Sequence, residues 1–215
     1  MSGQSLRRIV GLILLSLSLA LLVWGLQPAR LERHTLMIPP GELGTEGRLI
    51  TLEWPALLRR QDSDFIRLTL APEGGDPENS LSGSGRAQFM AFARLEIEGV
   101  EYTPPGEVTQ ALLSGRAVQF IWSVRAMQAG NFNGAVWLHS QPVGVEDNPG
   151  DRQVIAAPKI EIQAQDVFGL GGPWARALGS AGAAIGAVFS MEGLLIGFWR
   201  WLSRKPLQPS PPHLD

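Results

Sequence analysis

Val118-Gln-Phe-Ile-Trp-Ser-Val-Arg-Ala-Met127 alternates without a break. Val118, Phe120, Trp122, Val124 and Ala126 fall on one side; Gln119, Ile121, Ser123, Arg125 and Met127 fall on the other. Successive side chains of an extended strand point to opposite faces. A period of two with one apolar side therefore marks a strand half-buried against a core. Trp122 lies on the apolar side and is expected inside, because large aromatic rings anchor sandwich interiors.

The same period recurs on both sides of this stretch. Phe89, Ala91, Ala93, Leu95 and Ile97 alternate with Met90, Phe92, Arg94, Glu96 and Glu98. Ile66, Leu68 and Leu70 alternate with Arg67 and Thr69, and Ile160, Ile162 and Ala164 with Glu161, Gln163 and Gln165. Residues 35–38, 48–54, 107–112 and 134–140 are further strand candidates, and 57–60 reads as one short turn. That makes about eight closely spaced strands with no amphipathic helix between them. Pro39-Pro40-Gly41, Pro72-Glu73-Gly74-Gly75, Ser82-Gly83-Ser84-Gly85, Pro104-Pro105-Gly106, Ser114-Gly115 and Gly130-Asn131 mark turns. Short strands with such turns predict a mainly β chain, an antiparallel β-sandwich over 35–167.

Residues 105–138 run through a Pro-Gly turn, a strand, Ser114-Gly115, the strand of Phe120 and Trp122, then Ala129-Gly130 and another strand. This order resembles the later strands of immunoglobulin-like bacterial surface modules, over about 35 residues and without a diagnostic motif. The resemblance implies an immunoglobulin-like fold and does not by itself imply a function. The chain has no cysteine, so the inter-sheet disulfide of antibody domains cannot form. Thiolate metal sites and cysteine nucleophiles are excluded with it.

Two apolar segments bracket the sandwich. Ile9–Leu26 is 18 residues without a charge, preceded by Arg7 and Arg8. At about 1.5 Å per residue it spans roughly 27 Å, enough for a hydrocarbon core. No small-x-small cleavage site follows it before Arg30-Leu31-Glu32-Arg33, so an uncleaved anchor is expected rather than a signal peptide. Residues 177–199 form the second segment, with Glu192 inside it, Trp174, Trp199 and Trp201 at its edges, and Arg200, Arg204 and Lys205 beyond. Aromatic rings favour the membrane interface and basic residues the cytoplasmic side. The expected layout is a cytoplasmic N-terminus over 1–8, a first span at 9–26, a linker at 27–34 and the extracytoplasmic sandwich. An interfacial linker at 168–176, a second span at 177–199 and a disordered, proline-rich cytoplasmic tail at 200–215 complete it. Arginine-, alanine- and leucine-rich usage suits a bacterium, which places the chain in a cytoplasmic (inner) membrane with lipid around it.

The formal net charge is −2, and residues 27–168 carry 18 acidic against 12 basic side chains. No basic patch exists to neutralise phosphates, so nucleic acid is not expected as a partner. His34, His139 and His213 stand apart in sequence, and no H-E-x-x-H pattern occurs. Ser84 lacks the first glycine of a nucleophile elbow. No phosphate-cradling loop or dinucleotide fingerprint is present. Asp62/Asp64, Glu73/Asp76/Glu78 and Glu146/Asp147/Asp151 fall in turn-rich loops whose spacing does not match a calcium loop, and read as solvated. No catalytic, metal or cofactor-binding residue is therefore expected. Trp54, Tyr102 and Trp137 are candidates for decorating a ligand surface.

The sharpest signal is in the apolar segments. Gly179, Gly182, Gly186, Ser190, Gly193 and Gly197 recur at steps of three or four and form one stripe along a helix. Gly11, Ser18 and Gly25 form a sparser seam, seven residues apart, on the first segment. Between helices in lipid there is no hydrophobic drive, and small residues permit the close approach that replaces it. Glu192 sits about 10 Å inside its span. It is expected to pair with Arg7, Arg8 or Arg200, to snorkel, or to meet a partner subunit or ion pathway. The chain thus reads as a non-enzymatic two-pass membrane protein. It is expected to be an accessory or structural subunit that assembles with other membrane subunits, or with itself, through the striped helix and the sandwich. The alternative is a membrane-anchored receptor or sensor binding a ligand through sandwich loops.

Overall fold

A computed structural model describes residues 3–40, 47–73, 87–143 and 152–202, with backbone alone for 3–8, 87–88 and 190–202. The chain divides into two compact units, Pro28–Pro173 and the terminal pair Met1–Gln27 with Trp174–Asp215. In chain order the elements are α1 (Gly3–Leu26), β1 (Leu31–Ile38), β2 (Arg48–Pro55), β3 (Leu57–Arg59), β4 (Ser63–Pro72), β5 (Ala87–Ile97) and β6 (Val100–Thr103). They continue with β7 (Glu107–Leu113), β8 (Val118–Ala126), β9 (Gly130–Pro142), β10 (Gln153–Ala156), β11 (Lys159–Gln165) and α2 (Gly172–Leu202).

Pro28–Pro173 is a β-sandwich. The first sheet has the order β1-β2-β4-β8-β6 and the second β3-β11-β9-β5-β7, with β10 also on β9. Every pairing is antiparallel except that of β3 with β11. One core joins the sheets. Ile50, Leu52, Ile66, Leu68, Phe120 and Trp122 enter it from the first, and Ala91, Leu95, Val136, Leu138 and Ile162 from the second. Trp122 is fully buried and its ring stacks near that of Phe120, 6.3 Å between centroids. These are the alternating positions of the sequence, and burial of one face in two is what holds each strand in register.

Several details depart from the sequence reading. Residues 57–59 are not a helical turn but a strand, because the chain crosses there from one sheet to the other. Ala56 N–H donates to the Arg30 carbonyl, 2.7 Å, on the first sheet, and Gln163 N–H donates to the Ala56 carbonyl, 2.9 Å, on the second. Leu31–His34, expected in a linker, is the first half of β1 and pairs with residues 52–55. Gly172–Arg176, expected as linker, already belongs to α2. β6 and β10 are short strands that the alternation does not reveal. The loops holding Ser82-Gly83-Ser84-Gly85, Asp76/Glu78 and Glu146/Asp147/Asp151, and the tail from 203 with His213, lie outside the described residues.

Two devices fix the turns around the core. Gly99 has φ +77°, a conformation side chains resist, and Phe132 lies over it where a Cβ would stand 2.6 Å from the ring. Arg48 is 3% exposed on the buried side of β2 and donates to the Leu113 carbonyl at 2.7 Å and the Arg116 carbonyl at 3.0 Å. It ties the start of β2 to the turn between β7 and β8. Arg48→Met keeps the stem and leaves both carbonyls without this donor. We expect a loss of about 2 kcal/mol, read as roughly 4–8 °C in thermal unfolding. An unchanged midpoint would mean that this tie carries no weight.

Candidate functional site

The candidate site residues lie in the helix pair. α1 and α2 run antiparallel: Gly179 lies against Leu22, Gly182 against Ser18 and Gly186 against Leu15. A Cβ on Gly179 would stand 2.8 Å from Leu22 N, and one on Gly186 2.9 Å from Leu15 N. One on Gly182 would collide with Ser18 Oγ. Only a missing side chain lets the backbones approach this closely. On α1, Gly11, Ser18 and Gly25 are all buried, although most residues around them are not. Ser18 of the seven-residue seam thus meets Gly182 of the stripe, while Gly179 and Gly186 meet Leu22 and Leu15. Ser190, Gly193, Gly197 and Glu192 continue along α2, where their side chains lie outside the described residues.

Outside this seam the pair turns large apolar groups outward. Ile13, Leu17, Ile185, Val188 and Phe189 are all exposed, with Leu17 at 68%. A water-soluble helix pair buries such residues and exposes small polar ones; this pair does the reverse. Among the described residues one segment, Ile9–Leu26, is long and apolar enough to cross a membrane. The described part of α2, interrupted by glycines and carrying Arg176, does not reach that standard. Arg176 Nη1 donates to the Gly25 carbonyl at 3.1 Å. This places a cation at the C-terminal end of α1, where helix carbonyls lack intrahelical partners.

The sandwich carries the remaining candidates. Trp54, expected at a surface, is 7% exposed and packs in the core, its indole N–H donating to the Glu161 carbonyl at 3.0 Å. Tyr102 is half-buried and packs against the core. Trp137 is half-buried on the second sheet, its Nε1 donating to Glu96 Oε2 at 2.9 Å. His34 lies exposed on β1, and His139 lies half-buried on β9. Asp62 pairs with Arg59, and Asp64 Oδ1 accepts from Phe65 N–H at 2.8 Å. Among the described residues, no three histidine or acidic side chains come together as metal ligands would.

Sequence reasoning missed two features. Phe92, on the outer side of β5, is buried because the Arg152 guanidinium lies 4.1 Å over its ring while pairing with Glu107 at 2.9 Å. A polar groove of about 590 Å³ opens at the sheet-switching corner, lined by Arg30, Glu32, Asn131, Glu161, Gln163 and Gln165 beside Ala56 and Leu57. Neither has a sequence signal, since each is assembled from strands far apart in the chain.

No family model matches the chain, and no curated protein matches it. Among solved structures it is similar to E. coli alpha-2-macroglobulin, at 12% identity and TM-score 0.33, covering 56% of this chain and 8% of that one. It is also similar to a chain in the complex of zinc 2-glycoprotein and prolactin inducible protein from human seminal plasma. There the identity is 11% and the TM-score 0.32, over 62% of this chain and 93% of that one. A third similarity is to a PapD-like domain of human CEP192, at 7% identity and TM-score 0.34, covering 66% and 90%. The sandwich architecture rests on the strand pairing above.

Proposed function

We propose that this chain is a non-enzymatic two-pass membrane protein of a bacterial inner membrane, an accessory or structural subunit whose sandwich stands on the extracytoplasmic side. The observation that carries the reading is the inside-out helix pair, with glycine and serine in the seam and large apolar side chains outside. The seam already occupies Gly179, Gly182 and Gly186, so partner contact falls mainly to the sandwich. Its strand order supports an immunoglobulin-like reading. β2-β4-β8-β6 occupies the places of A-B-E-D, and β11-β9-β5 those of G-F-C. The chain departs from that pattern in reaching β6 before β7, and in carrying its buried tryptophans on the A-like and E-like strands rather than the C strand. Purification from native membranes in mild detergent tests the reading. A stoichiometric larger complex supports it; extraction of the chain by alkaline carbonate, as a soluble protein, overturns it.

The groove at the β2–β3 corner favours a second reading, a membrane-anchored receptor. Its amide and carboxylate side chains offer paired donors and acceptors to a polar ligand. A true ligand at a hundredfold its Kd stabilises the fold by about 2.7 kcal/mol. No shift in unfolding with sugars or peptides would remove this reading.

A further inference from the structure

The four sheet edges are unequal. β6 offers four residues and β3 three. β7 offers seven, but its register with β5 slips between Ala87 and Phe89. β1 pairs with β2 over all eight of its residues without a slip, and it contains no proline, glycine or lysine. Among the described residues no strand lies on its other side. Short edges, bulges, prolines and lysines are among the guards against strand addition, and β1 lacks these four; its charged residues are Glu32 and Arg33. Arg33 is the cation of this strand, and it is turned inward along the sheet, its Nε 2.8 Å from Glu53 Oε1 on β2. Leu31 and Met37, near the two ends of the strand, are 61% and 59% exposed on the same outer face.

We propose that β1 pairs antiparallel with β1 of a second copy, about a two-fold axis through His34. This would join two five-stranded sheets into one of ten. The register follows from the strand itself. Opposed residues share a face, so a two-fold axis perpendicular to the sheet must pass through a residue rather than between two. An axis through Arg33 sets Arg33 against its own copy. An axis through Thr35 sets Arg33 against Met37 and Glu32 against buried Ile38. The axis through His34 sets Leu31 against Met37 twice, covering both exposed apolar side chains. It also places Arg33 beside Thr35 and Glu32 opposite half-buried Leu36, with no like-charged carboxylate or guanidinium pair. This contact belongs to the sandwich and does not depend on the membrane reading.

The chain has no cysteine, so single cysteines report the register directly. Directly opposed strand residues have Cα atoms about 4.5–5.5 Å apart, within disulfide range. His34→Cys in the full chain, in detergent under mild oxidation, should therefore cross-link two copies. Met37→Cys alone should not, because its mate lies six residues along the strand, about 20 Å away. Mixing Leu31→Cys chains with Met37→Cys chains should restore the cross-link. We expect about tenfold more product for His34→Cys than for Met37→Cys, given those separations. Equal product at the two positions, or none at His34, would overturn the proposal. So would a native mass of one copy for the unsubstituted chain. Cross-linking at His34 in a chain that carbonate extracts would sink the membrane reading and leave the dimer standing.

Discussion

Trp122→Ala loses about 3–5 kcal/mol of sandwich stability, the expected cost of emptying a fully buried aromatic site. Trp122 is 0% exposed on β8, between β4 and β6 in the first sheet, and its ring stacks near Phe120. Removing the indole empties the space between sheets where no neighbour can close it without moving a strand. That loss is a large share of a domain's total stability, so the variant is expected to unfold near physiological temperature. Trp122→Phe is the informative companion. Among the described residues no group accepts from the buried indole N–H. Phenylalanine keeps most of the packing and removes that donor, which offsets part of the lost volume. Urea unfolding of the full chain should give a deficit below about 1.5 kcal/mol for Phe. A deficit for Ala as small as that for Phe would mean that the ring is not the centre of the core.

The second large effect lies in the helix pair. Gly179→Leu with Gly186→Leu places two side chains where a Cβ alone already stands 2.8 and 2.9 Å from the backbone of α1. The obstruction is main chain, so a rotamer change cannot relieve it, and the helices must separate. Ser18→Cys with Gly182→Cys reports the separation, since the Gly182 Cβ position is 3.1 Å from Ser18 Cβ. The two Cβ positions stand a few tenths of an ångström inside the usual disulfide range, so a small shift of the helices lets this pair close on mild oxidation, seen after a protease cut between the helices. With both leucines present the closed fraction should fall at least about tenfold, which needs only about 1.4 kcal/mol of lost packing. An unchanged fraction would show that the glycines do not hold the pair.

The strands that were legible in the sequence are those with one face fully buried. β8 and β11 alternate along their length because each lies over the core from end to end. β1 was half legible. Glu32 and His34 share the inner face with Leu36 and Ile38, yet both are exposed, so no apolar period marks Leu31–His34. β3 is only three residues long, too short to show a period, and is defined by the parallel neighbour it meets. Trp54 was misplaced although the signal was there: Ile50, Leu52 and Trp54 share one parity, and its burial follows from it. Phe92 gave no such signal. Its parity points to solvent, and a guanidinium from a distant loop covers it. Helix spacing alone aligns residues three and four apart, which is why Gly179, Gly182 and Gly186 read as one stripe. What sequence spacing does not contain is the partner of a stripe, here α1 of the same chain. The comparison of four sheet edges likewise requires knowing which strands lie outermost.

We propose that both helices cross one membrane and that the sandwich is extracytoplasmic. Single-cysteine labelling tests it directly, because the native chain offers no background thiol. Ser2→Cys, Thr109→Cys and Ser210→Cys would each be treated with a membrane-impermeant maleimide in right-side-out and inverted vesicles. Thr109→Cys, on the exposed edge strand β7, should be labelled in right-side-out vesicles only. Ser2→Cys and Ser210→Cys should be labelled in inverted vesicles only. Labelling of Ser210→Cys from the same side as Thr109→Cys would rule out a second crossing, leaving α1 as a single anchor and α2 on the outer side of the membrane.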